Sequence, residues 1–333
     1  MGTARQCLRD GGVDRHELGS NGEGNVVRRE KPCVGPWCTE AQAIAREVSD
    51  NLRLYPNPDA EPLKLAIAGS IPRGSGLSSS ASLCVALGRV LAAARGGSSP
   101  APQELALAAQ AAEHNWAGVH CGIMDQMAIA AGEPGSALLL DCRDLHSRRV
   151  ALPADWAVLI VQSGVVRGLV DGHYNQRRAD CEAAARALGA ASLRDATAQQ
   201  VRAASLDQRQ QARALHVVEE IARVAAAVSA IEQGDLPALG DLLRASHASL
   251  RDLFEVSVPP VDRLVDLLNT EIGSAGGARM TGGGFGGAVV AVLPSAAVER
   301  VCAAVTASFG PRADADHSIM IERTDGTAVG VLQ

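Results

Sequence analysis

Residues 71–91 read IPRGSGLSSSASLCVALGRVL. Just before them, Leu63, Leu65, Ile67 and Ile71 alternate with Lys64, Ala66, Ala68 and Ser70, the period of a strand with one buried face. Pro72, Gly74 and Gly76 end that strand in a tight turn, and Leu83, Leu87 and Leu91 recur at helical spacing behind Ser78, Ser79 and Ser80. A glycine turn feeding a helix start leaves several backbone N–H groups without partners, where the helix dipole favours an anion. Serine hydroxyls add donors or a metal ligand. On these residues alone two readings stay open: a phosphate cradle, or a simple turn with Ser78 capping a helix.

The surrounding chain narrows the choice. Its 333 residues allow two packed domains, and a 47% hydrophobic fraction with ordinary charge content describes a globular protein. A net charge of −6 without a basic block argues against nucleic acid as a partner. No run approaches the roughly 20 apolar residues of a membrane span, and the N-terminus has no signal-peptide core, so the expectation is a cytoplasmic protein that makes no membrane contact. Eight cysteines lack paired metal spacings and read mostly as buried thiols, with Cys33 and Cys38 too isolated for a zinc site. Lysine occurs only at positions 31 and 64, which leaves neither a GxxxxGK[ST] loop nor a protein-kinase lysine motif.

Residues 1–36 are rich in Gly and Arg, carry no fold assignment and are expected to be partly disordered. A first domain is expected over residues 37–153. It opens on a Thr39/Gln42 capping box and the stripe Ala41, Ile44, Val48 and Leu52, and continues through the strand and serine-opened helix, a helix over 104–117 and a strand over 137–142. A second domain is expected over 154–333. Its elements are a strand at 156–162; helices at 174–188, 208–232, 235–246, 259–269 and 295–309; a glycine-flanked strand within 275–293; and a strand near 318–322.

Three places offer chemistry. Asp125, in GVHCGIMDQM, is a carboxylate between Met124 and Met127 with small neighbours, a setting that suits an acid or base as well as a structural aspartate. Glu113, on the helix before it, gains interest as a magnesium ligand beside a serine, since magnesium takes one or two protein oxygens plus phosphates. Ser79 and Glu113 are the candidate pair. GGGFGG at 282–287 lacks the following helix of a dinucleotide fingerprint; glycines at the start of a strand let backbone approach a ligand or another strand, with Met280 and Thr281 bordering the site. Tyr174, one of two tyrosines, begins the helix in GHYNQRRADC.

Taken together, PRGSGLSSSAS, GVHCGIMDQ, LLLDCRDL, GHYNQRRADCEAAARALG, SHASLRDLFEVSVPPVD and ARMTGGGFGG resemble the galactokinases of the GHMP small-molecule kinase family, from about Trp37 to the C-terminus. The resemblance implies an α+β, two-domain architecture: a ribosomal-protein-S5-like N-terminal lobe, a ferredoxin-like C-terminal lobe and an active site between them. It implies an ATP- and magnesium-dependent monomer that converts galactose to galactose 1-phosphate. By the same resemblance, Gly74, Gly76, Leu77, Ser78, Ser79 and Ser80 would cradle the ATP phosphates, and Ser79 and Glu113 would hold magnesium. Asp125 would sit beside the sugar C1 hydroxyl as base or electrostatic orienter, with Gly122 and Tyr174 lining the galactose. Gly283 and Gly284 would approach from the second domain.

One departure stands out. Galactokinases begin with a segment of the type GRVNLIGEHTDY, and its usual spacing from the serine turn places it ahead of Met1. The expectation is reduced stability and little sugar kinase activity for residues 1–333 as they stand. Kinases of N-acetylgalactosamine, a uronic acid or arabinose, and a non-catalytic sugar or nucleotide sensor, are the competing readings.

Overall fold

The computed structural model describes residues 18–20, 26–28, 36–54, 67, 71, 76–94, 99–116, 121–165, 171–309 and 321–323. The side chains of 36–42, 116 and 171–174, and those of the short strands at 18–20, 26–28 and 321–323, fall outside it. So do Gly74, nearly all of the strand expected at 63–71, and the side chain of Tyr174. The chain forms two compact units: Met1–Pro72 with Ser79–Ala130, and Arg73–Ser78 with Ala131–Gln333.

In the first unit, β1 (Leu18–Ser20) pairs antiparallel with β2 (Val26–Arg28), within the stretch to which the sequence reading assigned no fold. Helices α1 (Pro36–Asn51), α2 (Ser79–Ala94) and α3 (Pro102–Trp116) pack on one another, followed by α4 (Met124–Ala131). α1 starts at Pro36 and so takes in Thr39, the expected cap; proline's fixed φ and missing N–H suit a first helical position. The core of the unit is Val48, Cys84, Val85, Leu87, Leu91, Leu105, Ala109, Ala112 and Met127. Gly88 sets the α2–α3 distance, because a Cβ there would fall 2.4 Å from Leu105 Cδ1 and 3.2 Å from Val48 Cγ1. Arg89 Nη2 donates to the Ala130 carbonyl at 2.9 Å and ties α2 to the end of α4.

The second unit opens on the hairpin β3 (Ser136–Leu140) and β4 (Ser147–Ala151), with Ser136 opposite Ala151 and Leu140 opposite Ser147. Next come β5 (Trp156–Gln162), α5 (Asp171–Ala187), α6 (Ala198–Ala203), α7 (Gln208–Gln233), α8 (Leu236–Asp252) and α9 (Pro259–Ile272). β6 (Gly277–Met280), β7 (Ala288–Pro294), α10 (Val298–Phe309) and β8 (Ile321–Arg323) complete it. The sheet order is β6-β7-β5-β8, every neighbouring pair antiparallel. Counted within this sheet alone, the last strand lies beside the first and the second at the far edge, which is the ferredoxin-like arrangement. The unit therefore has the α+β form expected for the C-terminal lobe.

Both faces of the sheet are buried, and alternate residues serve each. Leu159, Val161, Val289, Ala291 and Leu293 join Leu264 and Leu268 of α9 and Val301 and Val305 of α10. Trp156, Val158 and Val292 meet Ile231, Leu239 and Leu243 of α7 and α8, together with Val150 of the hairpin. The hairpin is thereby seated on the second unit, and Pro153, the expected domain boundary, lies inside that unit. Gly240 lets the α8 backbone rest directly on the start of β6: a Cβ there would lie 2.0 Å from the Gly276 carbonyl oxygen. α7 is capped by Asp207, whose side chain accepts from Gln210 N, and ends at Gly234 with φ 68°. Among the described residues, no helix is long and apolar enough to cross a membrane.

Candidate active site

The serine stretch forms the helix start its sequence predicted. Gly76 has φ 74° and Ser78 has φ 58°, and α2 begins at Ser79. A serine held in the left-handed region directly before a helix is a costly local geometry, of the kind concentrated at ligand-binding turns. The turn aims the first N–H groups of α2, which have no partner in their own helix, out of the helix end. With no acidic residue in that first turn, nothing on the helix competes for the dipole.

In the first unit the hydroxyl that meets Glu113 is that of Ser80: Ser80 Oγ donates to Glu113 Oε1 at 2.5 Å. Successive helical residues point about 100° apart, so a helix that starts at Ser79 turns only one of the adjacent serines toward α3. Glu113 is 7% exposed, and its second oxygen, Oε2, accepts from Gln126 Nε2 on α4. Gln126, 1% exposed, is a residue that sequence reasoning missed. Its signal was there: an amide directly before the apolar helical run MAIAA has to be buried or paired.

The donor set suits a small hard cation. With its single proton committed to Glu113, Ser80 Oγ retains lone pairs, and each oxygen of Glu113 has one further acceptor position. Two protein oxygens beside an anion-binding helix start are what magnesium on a triphosphate requires, and no larger cage is needed. Among the described residues no group of three or more His, Cys, Asp and Glu gathers at one place. The nearby thiols do not compete: burial foremost, with the Glu113 carboxylate adding to it, pushes Cys84 up to about 12, and burial also raises Cys121.

Asp125 lies in the first turn of α4, half-buried, on the segment that delivers Gln126 to Glu113. Gln110 Nε2 and His114 Nε2 of α3 lie 3.1 and 2.9 Å from the Cys121 carbonyl and fix the start of that segment. Gly122 is exposed, and a Cβ built on it meets nothing within 4 Å.

In the second unit the two glycine stretches singled out in the sequence meet. Gly282 has φ 74°, and a Cβ on it would lie 3.2 Å from the Gly76 carbonyl oxygen; one on Gly76 would lie 3.9 Å from the Thr281 carbonyl oxygen. Thr281 thus borders the turn, while Met280 is fully buried. Gly284, Phe285, Gly286 and Gly287 also have positive φ. Gly284 itself is buried because its backbone packs on Val256, where a Cβ would lie 2.5 Å from the carbonyl oxygen, while Gly283 stays half-exposed.

Polar anchors hold that loop. Phe285 N donates to Val256 O at 2.7 Å and Gly287 N to Val165 O at 3.0 Å. The turn that carries Val256 is fixed by two arginines that sequence reasoning did not single out for this purpose. Arg213, 2% exposed, donates to the Leu253 carbonyl and, at 2.5 Å, to Glu255 Oε2. Arg177 reaches the Phe254 and Glu255 carbonyls at 2.7 and 3.0 Å. At the start of the loop, His247 Nδ1 lies 3.4 Å from Met280 N, and its Nε2 lies 3.2 Å from Asp262 Oδ1 without the angle of a hydrogen bond. Burial alone would raise the pKa of Glu220, but Arg279, Ser246 and Arg223 hold it below the usual carboxylate range, which makes a charged brace under β6.

Comparison with known proteins accords with this geometry. Residues 41–133 match the GHMP kinases N terminal domain, and residues 227–311 match the GHMP kinases C terminal domain. The structure is similar to that of Lactococcus lactis galactokinase complexed with galactose, at 30% identity and a TM-score of 0.73, over 90% of this chain and 79% of that one. Mevalonate kinase from L. major in complex with R-mevalonate shares the fold at 18% identity and a TM-score of 0.53, over 87% and 78% of the two chains. Streptococcus pneumoniae phosphomevalonate kinase in complex with phosphomevalonate and AMPPNP does so at 16% and 0.56, over 90% and 84%. The chain belongs to the GHMP kinase family, phosphotransferases that act on small molecules.

Proposed function

We propose that the protein transfers the γ-phosphoryl group of ATP to the C1 hydroxyl of D-galactose, giving galactose 1-phosphate and ADP, with magnesium as cofactor. The observation that carries this reading is the 30% identity, sustained over nine tenths of the chain, to a galactokinase solved with galactose. The local geometry supports it. The Gly76–Ser80 turn offers backbone amides to the phosphates, and Ser80 with Glu113 would hold the metal. Magnesium, when bound, neutralises phosphate charge.

The residues of this chain carry the remaining roles. Asp125, in the first turn of α4 and half-buried, would face the sugar hydroxyl. The C1 oxygen forms the new P–O bond as the bond to ADP breaks, and the hydroxyl proton passes to Asp125 as that charge develops. The first amides of α2 would be donors for charge on the transferring group.

The test is a sugar panel with MgATP, comprising galactose, N-acetylgalactosamine, galacturonic acid and arabinose. It is scored by ADP release and, in parallel, by ligand-induced change in Tm. Galactose is expected to give the highest kcat/KM and the largest shift in the presence of nucleotide. Asp125→Ala is expected to abolish release and leave nucleotide stabilisation intact. Preference for another sugar would reject galactose as the substrate, and stabilisation without product from any sugar would point to a binding protein.

A further inference from the structure

Gln126 is a buried group to which the mechanism above gives no task. Its neighbours on α4 and just before it, Met127 and Ile123, are buried and apolar. An amide in such surroundings costs free energy unless both its ends are paired, and here Oε1 is buried with no partner among the described residues. A methionine would fill a similar volume without that cost. What the amide offers in return is Nε2, which donates to Glu113 Oε2 and lies 3.4 Å from Cys121 Sγ.

We propose that Gln126 is a positioning residue for the metal-binding carboxylate: it and Ser80 hold the two oxygens of Glu113 from separate helices and so set the affinity for magnesium. The inference rests on the reading of Ser80 and Glu113 as the magnesium pair. A carboxylate turns freely about its last bond unless both oxygens are tied. Ser80 on α2 ties Oε1 and Gln126 on α4 ties Oε2, while α3 carries the carboxylate itself. The Gln110 and His114 contacts to the Cys121 carbonyl lock the segment that delivers Gln126 to the same helix, so its reach to Glu113 is fixed from both ends. Partners that orient metal ligands in this way typically alter metal affinity by about ten- to a hundredfold when removed.

The test uses the full chain, a nonhydrolysable ATP analogue and Mg2+, with calorimetric titration of the analogue in EDTA and across a magnesium series, and with Tm measured alongside. Gln126→Met keeps the volume and removes the donor. It is expected to raise the magnesium concentration needed for half-maximal enhancement of binding by about ten- to a hundredfold, with metal-free affinity and Tm close to those of the unaltered chain. Gln126→Asn, whose amide falls one methylene short, is expected to do the same and serves if the methionine variant does not fold. An unchanged magnesium requirement, or a loss that tracks metal-free affinity and Tm together, would overturn the proposal. Absence of any magnesium enhancement in the unaltered chain would overturn the reading of the site, and this proposal with it.

Discussion

Acid should unfold the second unit through His216. This imidazole is buried, stacks on Phe254 at 4.3 Å and places Nδ1 2.8 Å from Ser249 Oγ. Burial foremost, opposed by Glu220 and assisted by Arg223, Arg279 and Arg213, pushes its pKa down from 6.5 to about 4. Between those two values the unfolded chain binds a proton that the folded chain excludes. The stability tied to a neutral His216 is therefore complete above pH 6.5 and is lost as pH falls toward 4. At about 1.4 kcal/mol per pH unit, the interval amounts to roughly 3 kcal/mol. For a unit of this size that corresponds to roughly 6–12 °C in Tm. The assay is scanning calorimetry of the unaltered chain and His216→Gln at several values between pH 7.5 and 4. Titrating groups remote from His216 are common to both chains and cancel in the difference. The variant should start less stable at pH 7.5 and lose less on acidification. Parallel loss of Tm in the two chains would refute the assignment of a buried neutral imidazole.

The glycines yield two further expectations. Gly240→Ala would drive a Cβ to 2.0 Å from backbone at Gly276; since neither helix nor strand can yield a side chain, a loss of about 3 kcal/mol is expected, read as a fall in the Tm of the second unit. Gly282→Ala and Gly135→Ala both place alanine at positive φ, 74° and 70°, and each should cost about 1–2 kcal/mol of stability. Only Gly282 abuts the Gly76 turn, so only that variant should also weaken binding of an ATP analogue, measured by titration.

Much of the fold was legible because its signals are local. The apolar run at 156–162 is β5 over that same span, the serine-opened helix starts within one residue of its expected place, and helix α7 spans 208–233 against an expected 208–232. Strand runs and helical stripes are periodic in sequence, and Gly234 marks a C-terminus by its φ. What escaped depends on packing between elements. Choosing Ser80 over Ser79 as the partner of Glu113 requires the rotational phase of α2 against α3, which no spacing within either helix encodes. The seat of the β3–β4 hairpin on α7 and α8 depends on packing between elements in the same way. Arg213 and Arg177 look like surface cations until the carbonyls of 253–255 are brought to them across tens of residues. The meeting of Gly76 with Gly282 is likewise invisible in either stretch alone, although the second was marked as a backbone that lets a ligand or strand approach closely.

The central claim, that the serine turn and Glu113 form a magnesium–nucleotide site, is tested most directly by titrating a nonhydrolysable ATP analogue into the unaltered chain and Glu113→Gln, with Mg2+ and in EDTA. The unaltered chain should bind more tightly with magnesium. The variant should keep its metal-free affinity and lose at least the roughly tenfold enhancement associated with a disturbed metal site. Equal magnesium enhancement in the two chains, or none in the unaltered chain, would contradict the account.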